Sequence, residues 1–300
     1  MTFDALVRSG IIQTDVALGP LTTYKAGGHS RLYTKPESPE DLKEVASAIK
    51  GHDLEILVLG RGSNLLVSDR GFDGLTVHIA SGFSEIKFDG MEVEAGAGAP
   101  LPRVARGSVD AGIAGLEFFV GIPGSVGGAV RQNAGCFGVE ASDRLVSAQI
   151  VDLASGDWFT ATPDELDMGY RHSSVQAEWV VVSALFVGTG TDTTASRAEL
   201  WRITRWRKEN QPGGTLNAGS VFKNPEGTTA GYLIDSAGLK GFGVGDVSVS
   251  EKHANFFVAL PTATSEQIRA LIFEVRGLVA ERIGIVLEPE IQMVGFDDDD

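Results

Sequence analysis

GIPGSVGGAVRQNAGCFG, residues Gly121 to Gly138, decides the fold: six glycines and one proline are interleaved with small residues instead of charge. Glycine reaches backbone angles closed to other residues and lets a ligand or another backbone come close, so this density implies an unusual path. Successive amides along such a path form a nest for anions, and a phosphate is the expected guest. A second segment of this kind, Gly60-Arg-Gly-Ser-Asn64, leaves the apolar run Glu55-Ile-Leu-Val-Leu59, which reads as a strand. Two phosphate-friendly loops in one chain point to a dinucleotide. Neither fits the common fingerprints, since no Gly-x-Gly-x-x-Gly is followed by an acidic residue about twenty positions on, and no Gly-Lys-Ser/Thr closes a glycine loop. Taken singly, each loop also reads as a set of tight turns in a strand-rich protein.

The rest of the chain bounds what those loops serve. Its 300 residues, 43% of them hydrophobic, are enough for two domains with real cores. Twenty-five basic against 40 acidic residues give a net charge of −15, part of it from Asp297 to Asp300, and this balance speaks against a nucleic-acid partner. The first ten residues lack a basic stretch followed by a long apolar one, and no later segment approaches 18 uninterrupted apolar residues; a cytoplasmic protein without membrane insertion is expected. The single cysteine, Cys136, excludes an internal disulfide framework, and five scattered histidines show no zinc spacing, so no metal is expected. Cys136 reads as a small loop residue, with no base evident beside it.

Ser38-Pro39-Glu40-Asp41 is a helix start, with a capping hydroxyl, a first-turn proline and acids at the positive dipole end, followed by apolar Leu42, Val45 and Ile49. Alternation predicts strands at Leu75–Ile79 and Met91–Glu94, a helix from Leu101 to Ala111, and strands at 145–153 and 178–187. Polar residues 188–194 precede a helix over 200–208, and the domain boundary is expected there, dividing 1–192 from 193–300. Beyond lie a glycine-rich segment to Gly245, a strand at 255–259, and a helix opened by Thr264 with Gln267 as its capping-box partner, carrying Ile268, Leu271, Ile272, Val275, Leu278 and Val279 on one face.

Polar chemistry concentrates in Asn217-Ala-Gly-Ser-Val-Phe-Lys-Asn-Pro225, and Glu290 sits between apolar neighbours in Leu287-Glu-Pro-Glu-Ile291. A carboxyl so placed could be buried and protonated, suiting a proton donor or a partner to developing charge. On the pattern alone it reads equally as a surface glutamate beside a C-terminal strand.

The blocks VLGRGSNLLVSD (58–69), GLEF (115–118), GIPGSVGGAV (121–130), NAG (133–135), YRHS (170–173), NAGSVFKNP (217–225) and the late Glu290 fall in one order across nearly the whole chain. Together they resemble the UDP-N-acetylenolpyruvoylglucosamine reductase family. The resemblance implies an α+β architecture, with an FAD-binding domain of the vanillyl-alcohol-oxidase (PCMH) type followed by a smaller α+β substrate-binding domain. It implies noncovalent FAD, NADPH as reductant, and hydride transfer to UDP-N-acetylglucosamine enolpyruvate, giving UDP-N-acetylmuramate for peptidoglycan. Ser220 matches the family's proton donor, Glu290 its late catalytic glutamate and Arg171 its catalytic arginine. A guanidinium can hold a carboxylate bidentately as charge builds, and a protonated glutamate can hydrogen-bond the enolate. Tyr170, Asn224 and Lys208 are the expected substrate contacts, Lys208 towards the diphosphate. Gly60, Arg61, Gly62, Ser63, Asn64, Gly124, Ser125 and Gly128 are the expected FAD contacts.

Two positions depart from the family pattern: Lys25 stands where arginine is usual, losing a planar fork, and Arg131-Gln132 precedes Asn133 where methionine is more common. The short span between Val187 and Asn217 leaves no room for a substrate-capping insertion, which places the chain in the compact branch. A monomer is expected. An FAD-dependent sugar or alcohol oxidase of the same cofactor fold is the alternative enzyme. A nucleotide-sugar binding module without turnover is the non-enzymatic one, and would leave Ser220 and Glu290 incidental.

Overall fold

A computed structural model of the protein describes residues 2–297, so residues 298–300 of the acidic run lie outside the described part. Helices and strands are mixed throughout, as the α+β expectation requires. The first helices are α1 (Phe3–Ser9), α2 (Pro39–Ile49) and α3 (Leu101–Asp110). Helix α2 starts where its sequence says: Ser38 Oγ accepts from the Asp41 N–H at 3.1 Å, and the Asp41 carboxylate accepts from the Ser38 N–H at 3.1 Å. Its buried face is Leu42, Val45, Ala46, Ala48 and Ile49. Next come α4 (Val126–Gln132), α5 (Thr193–Asn210), α6 (Ala230–Ser236) and α7 (Ser265–Ile283).

A four-stranded sheet runs in the order Ile12–Ala17, His29–Thr34, Phe72–His78, Ile56–Leu59, the last pair parallel with Ile56 opposite Leu75. A five-stranded sheet runs in the order Trp158–Ala161, Leu145–Asp152, Trp179–Val187, Glu92–Gly96, Ile86–Asp89, all antiparallel. The strand at Ile86–Asp89 escapes sequence reading because, among the described residues, it pairs with the strand it turns into, and its faces are largely exposed.

Two compact units divide the chain, and neither is continuous in sequence. The first comprises Met1–Asp15, Leu32–Arg61 and Gly74–Arg205. Its core joins α2, α3 and α4 to the inner face of the five-stranded sheet, with Phe118, Phe119 and Phe186 among its largest members.

The second unit comprises Val16–Arg31, Gly62–Asp73 and Trp206–Asp300. Its core sets Ile268, Leu271, Ile272, Val275 and Val279 of α7 against Val221, Phe222, Ile234, Val249 and Phe257. A three-stranded sheet orders Gly243–Val244, Val247–Val249 and Phe257–Ala259, and Gln292–Val294 pairs in parallel with Leu65–Val67. Tyr24 is buried here with its hydroxyl donating to the Phe257 carbonyl, and burial drives its pKa far above the ordinary phenol value. The glycine-rich stretch before Gly245 holds α6, a helix that sequence reading missed because Gly231 and the glycines around it obscure its period.

Helix α7 has both halves of its capping box, Thr264 Oγ accepting from Gln267 N–H and Gln267 Oε1 from Thr264 N–H, each at 3.2 Å. Its remaining first-turn amides are met by a residue far back in the chain: the Asp69 carboxylate accepts from Ser265 N–H and Glu266 N–H, each at 3.1 Å. A carboxylate at the positive end of a helix adds charge attraction to those bonds. Asp69→Ala is therefore expected to destabilise this unit by about 1 kcal/mol, with Asp69→Asn intermediate, as read from urea unfolding.

Candidate active site

Gly60 and Arg61, which open the shorter glycine loop, meet the longer one within the first unit. A Cβ on Gly60 would lie 2.7 Å from Ser125 Oγ, so a side chain there would require that hydroxyl to move. Arg61 Nε donates to the Pro123 carbonyl at 3.2 Å, and the Gly124 carbonyl accepts from Leu101 N–H at 3.1 Å. The second loop is only partly a loop: Val126 to Gln132 form α4, opened by the buried Ser125. Gly127 packs on Ala97, whereas a Cβ on Gly128 would meet nothing nearer than Ser125 Oγ at 3.8 Å. Small residues, a serine hydroxyl set against a glycine and an open glycine at the start of a short helix make a cradle that suits a phosphate-bearing cofactor.

Beside this cradle His78 is held by Tyr33, whose hydroxyl lies 2.7 Å from Nδ1, and it also hydrogen-bonds the Gly60 backbone. Burial, then nearby Lys35, holds the imidazole below its ordinary pKa. Gly62, Ser63 and Asn64 fall in the second unit. Gly62 is buried at φ 59° and its carbonyl accepts from Thr23 N–H at 3.1 Å. Asn64 turns its side chain elsewhere than a ligand contact would imply: Nδ2 donates to the Glu290 carbonyl at 3.0 Å.

Arg171 of the first unit is mostly buried and sits at φ 52°, a left-handed conformation costly for a branchless but bulky side chain. Nη2 donates to the Gly135 carbonyl at 2.8 Å and Nη1 lies 3.6 Å from Glu140 Oε1. Asn133, fully buried and itself left-handed, ties this together by donating to Glu140 Oε2 and to the Gly169 carbonyl, both at 2.9 Å. Burial raises the Glu140 carboxyl above the ordinary range, and the Arg171 charge opposes that rise. Exposed Tyr170 lies under the guanidinium, 5.0 Å from ring centre to Cζ. Glu140 carried no signal in the sequence, being a lone acid after a glycine turn.

In the second unit the backbone next to Ser220 pairs with that of Glu290. The Val221 carbonyl accepts from Glu290 N–H at 2.8 Å, Lys223 N–H donates to the Glu288 carbonyl at 2.9 Å, and Phe222 bridges Pro289. Both Ser220 and Glu290 are half-buried, so Glu290 is neither sealed in an apolar core nor a free surface acid. Exposed Asn224 uses Oδ1 to accept from the Ala230 N–H at 3.0 Å, fixing the start of α6. Lys208 is exposed near the end of α5, and its carbonyl accepts from Lys252 Nζ at 2.6 Å.

The unusual residues have local explanations. Arg131 Nη1 donates to the Val175 and Gln176 carbonyls at 3.1 and 2.8 Å, while Ser173 Oγ donates to the Arg131 carbonyl at 2.7 Å, so this arginine clamps the segment that follows Arg171. Lys25 Nζ donates to the Pro20 carbonyl at 2.6 Å. Cys136 Sγ lies 3.0 Å from the Phe118 carbonyl, consistent with a loop-packing role. Among the described residues no group of three or more His, Cys, Asp or Glu could hold a metal ion.

A family model for the FAD binding domain matches residues 30–162, and one for the C-terminal domain of UDP-N-acetylenolpyruvoylglucosamine reductase matches residues 211–294. The chain is similar to the UDP-N-acetylenolpyruvoylglucosamine reductase of Azorhizobium caulinodans, 38% identical over 287 residues that cover 96% of this chain and 92% of the relative. That of Paramagnetospirillum magneticum is 40% identical over 294 residues, covering 98% and 95%. The crystal structure of UDP-N-acetylenolpyruvylglucosamine reductase from Thermus caldophilus superposes with a TM-score of 0.81 at 33% identity, over 94% of this chain and 98% of that one.

Two outcomes are expected from this geometry. Gly128→Ala leaves the apoprotein at least as stable, since helical alanine is favoured by about 0.5–1 kcal/mol, yet lowers the flavin content of the purified protein. Unchanged flavin content would remove Gly128 from the cradle. Burial holds His78 below its ordinary pKa in the fold, so below the ordinary histidine pKa of about 6.5 unfolding takes up proton, and stability falls as pH drops through that value. His78→Gln should lose less stability than wild type between pH 7 and pH 5 in urea unfolding.

Proposed function

The chain belongs to the UDP-N-acetylenolpyruvoylglucosamine reductase family, and on that premise we propose that it reduces UDP-N-acetylglucosamine enolpyruvate to UDP-N-acetylmuramate, with FAD as cofactor and NADPH as reductant, in peptidoglycan precursor synthesis. The observation that supports the reading at particular residues is the bond from Glu290 N–H to the Val221 carbonyl, which pairs the backbone next to Ser220 with that of Glu290. Residues 1–192 are assigned to cofactor binding and 193–300 to substrate binding, supported by the family models over 30–162 and 211–294.

When bound, FAD would supply the redox chemistry by which hydride from NADPH reaches C3 of the enolpyruvyl double bond. Addition at C3 leaves an electron pair at C2, spread onto the neighbouring carboxylate, and the chain must stabilise that charge and deliver a proton. Ser220 is the proposed donor at C2. A lone hydroxyl is a weak acid, so the role requires neighbours that favour its alkoxide or resupply its proton. Glu290, held beside Val221 by its own N–H, is the proposed partner: protonated, it hydrogen-bonds the developing enolate. Arg171 is the proposed guanidinium for the substrate carboxylate. Its Gly135 and Glu140 contacts hold it in one orientation, so little side-chain freedom is lost on binding.

For FAD, Gly60, Arg61, Gly62, Ser63, Asn64, Gly124, Ser125 and Gly128 are the proposed contacts. Gly128 is supported by the open space over its Cα, and Gly60 and Ser125 by their close approach. Asn64 contributes through its backbone in this reading, because its amide is committed to Glu290. Tyr170, Asn224 and Lys208 are the proposed substrate contacts, Lys208 supported by its exposure near the end of α5. The enzyme is read as a cytoplasmic monomer, where nucleotide-linked sugars and NADPH are available. Among the described residues no helix is long and apolar enough to cross a membrane. The oxidase alternative is not favoured, because the reductase's C-terminal domain is matched across residues 211–294.

The test is the anaerobic visible spectrum of the flavin-loaded protein. NADPH should bleach it and UDP-N-acetylglucosamine enolpyruvate should restore it; recovery with oxygen alone would replace the reductase reading by the oxidase one. Ser220→Ala should bleach normally and recover roughly 10²-fold to 10⁴-fold more slowly with the enolpyruvyl substrate. Recovery at the wild-type rate would take Ser220 out of the mechanism.

A further inference from the structure

Ser220 is followed by two fully buried residues, Val221 and Phe222, whose backbone groups lie away from water and must find partners inside the fold. No regular ladder supplies them. The segment makes single antiparallel bridges only, Ser220 with Phe256 on one side and Phe222 with Pro289 on the other. One residue fills the gap. Asn255, only 2% exposed, donates from Nδ2 to the Phe222 carbonyl at 2.8 Å and accepts at Oδ1 from Phe222 N–H at 3.0 Å. Its own carbonyl accepts from Val221 N–H at 2.9 Å. Three bonds from a single residue thus hold the backbone of two consecutive residues across three peptide units, and the bond from Glu290 N–H to the Val221 carbonyl hangs Glu290 on the middle unit.

We propose that Asn255 is a positioning residue for the reaction, setting through Val221 and Phe222 the backbone that carries both Ser220 and Glu290. This rests on the roles given to Ser220 and Glu290 above. The carboxamide is suited to the task because it presents one donor and one acceptor in a plane, as a neighbouring peptide would. Aspartate offers only acceptors while ionised, and leucine offers neither. The turn leading into Asn255 is itself braced: Ser250 Oγ accepts from Lys252 N–H and His253 N–H, and His253 Nδ1 accepts from Asn255 N–H at 3.3 Å.

The test compares wild type, Asn255→Asp and Asn255→Leu as flavin-loaded proteins, with the two half-reactions followed separately under anaerobic conditions. Asn255→Asp at pH 8 should keep its flavin and be reduced by NADPH at the wild-type rate, while its reoxidation by UDP-N-acetylglucosamine enolpyruvate slows roughly 10-fold to 100-fold, the effect of a small misplacement of reacting groups. Lowering the pH should return reoxidation towards wild type, because the protonated carboxyl regains a donor for the Phe222 carbonyl. Asn255→Leu should show the same slowing without that recovery. Loss of flavin and of both half-reactions together, unrelieved by acid, would make Asn255 a residue of general stability and overturn the proposal, as would wild-type reoxidation at every pH. Amide exchange at Phe222 and Glu290 gives a readout independent of turnover. If the wild type is not reoxidised by this substrate, the functional reading fails, and faster exchange at both amides in Asn255→Asp still supports the clamp whereas unchanged exchange overturns it.

Discussion

Parallel pairing of Leu65–Val67 with Gln292–Val294 is the interaction from which the candidate acid–base machinery hangs. Ser68 N–H extends it by donating to the Val294 carbonyl at 2.8 Å, and Gly28 N–H donates in turn to the Ser68 carbonyl at 2.8 Å. Asn64 then reaches across to the Glu290 carbonyl just ahead of the paired strand. Each bond is worth about 1 kcal/mol net, so none alone fixes the position of Glu290, but they act on consecutive residues and cannot shift independently. Crowding enforces the register. A Cβ on Gly71, at φ 92°, would collide with the His29 backbone, and one on Gly295 with the Gly71 carbonyl, so a side chain at either glycine would force the strands apart.

Arg171 reaches its position by a different physical route. A left-handed backbone at a non-glycine residue costs about 1–3 kcal/mol and survives only where the surroundings over-determine it. Here they do, through the Gly135 carbonyl, Glu140, and an Asn133 that is left-handed as well. Strain of this kind collects where geometry matters more than stability, which agrees with the catalytic role proposed for the guanidinium. Arg131, an outlier by family pattern, turns out to brace the same neighbourhood from the other side by holding residues 175 and 176.

Much of this was legible in the residues. The caps of α2 and α7 could be read to the residue, because Ser38 with Asp41 and Thr264 with Gln267 make bonds three positions apart, within reach of local inspection. Strands at Ile56–Leu59, Leu145–Asp152 and Trp179–Val187 followed from apolar runs. The glycine segment from Gly121 was recognised as unusual but not as the start of α4, since Gly127 and Gly128 are poor helix formers and only the packing of Gly127 on Ala97 explains their place there. What could not be read were bonds between distant residues: Asp69 on α7, Asn64 on Glu290, Asn255 on Phe222. A side chain that serves a backbone far along the chain leaves no period and no spacing. The interleaving of the second compact unit, built from three separate stretches, is hidden for the same reason.

The distance between Asn64 and Glu290, 226 positions, bears on how the protein is made. At translation speeds of 5–20 residues per second, the ribosome delivers Glu290 roughly 10–45 s after Asn64, far longer than hairpins or helices take to form. Throughout that interval Leu65–Val67 is a strand edge without its partner, within a chain whose neighbouring segments have been free to fold. Exposed edges of this kind invite pairing with other chains. The stretch is short, and charged Asp69 and Arg70 stand just past Ser68 at its end, which limits what such an edge can recruit while it waits.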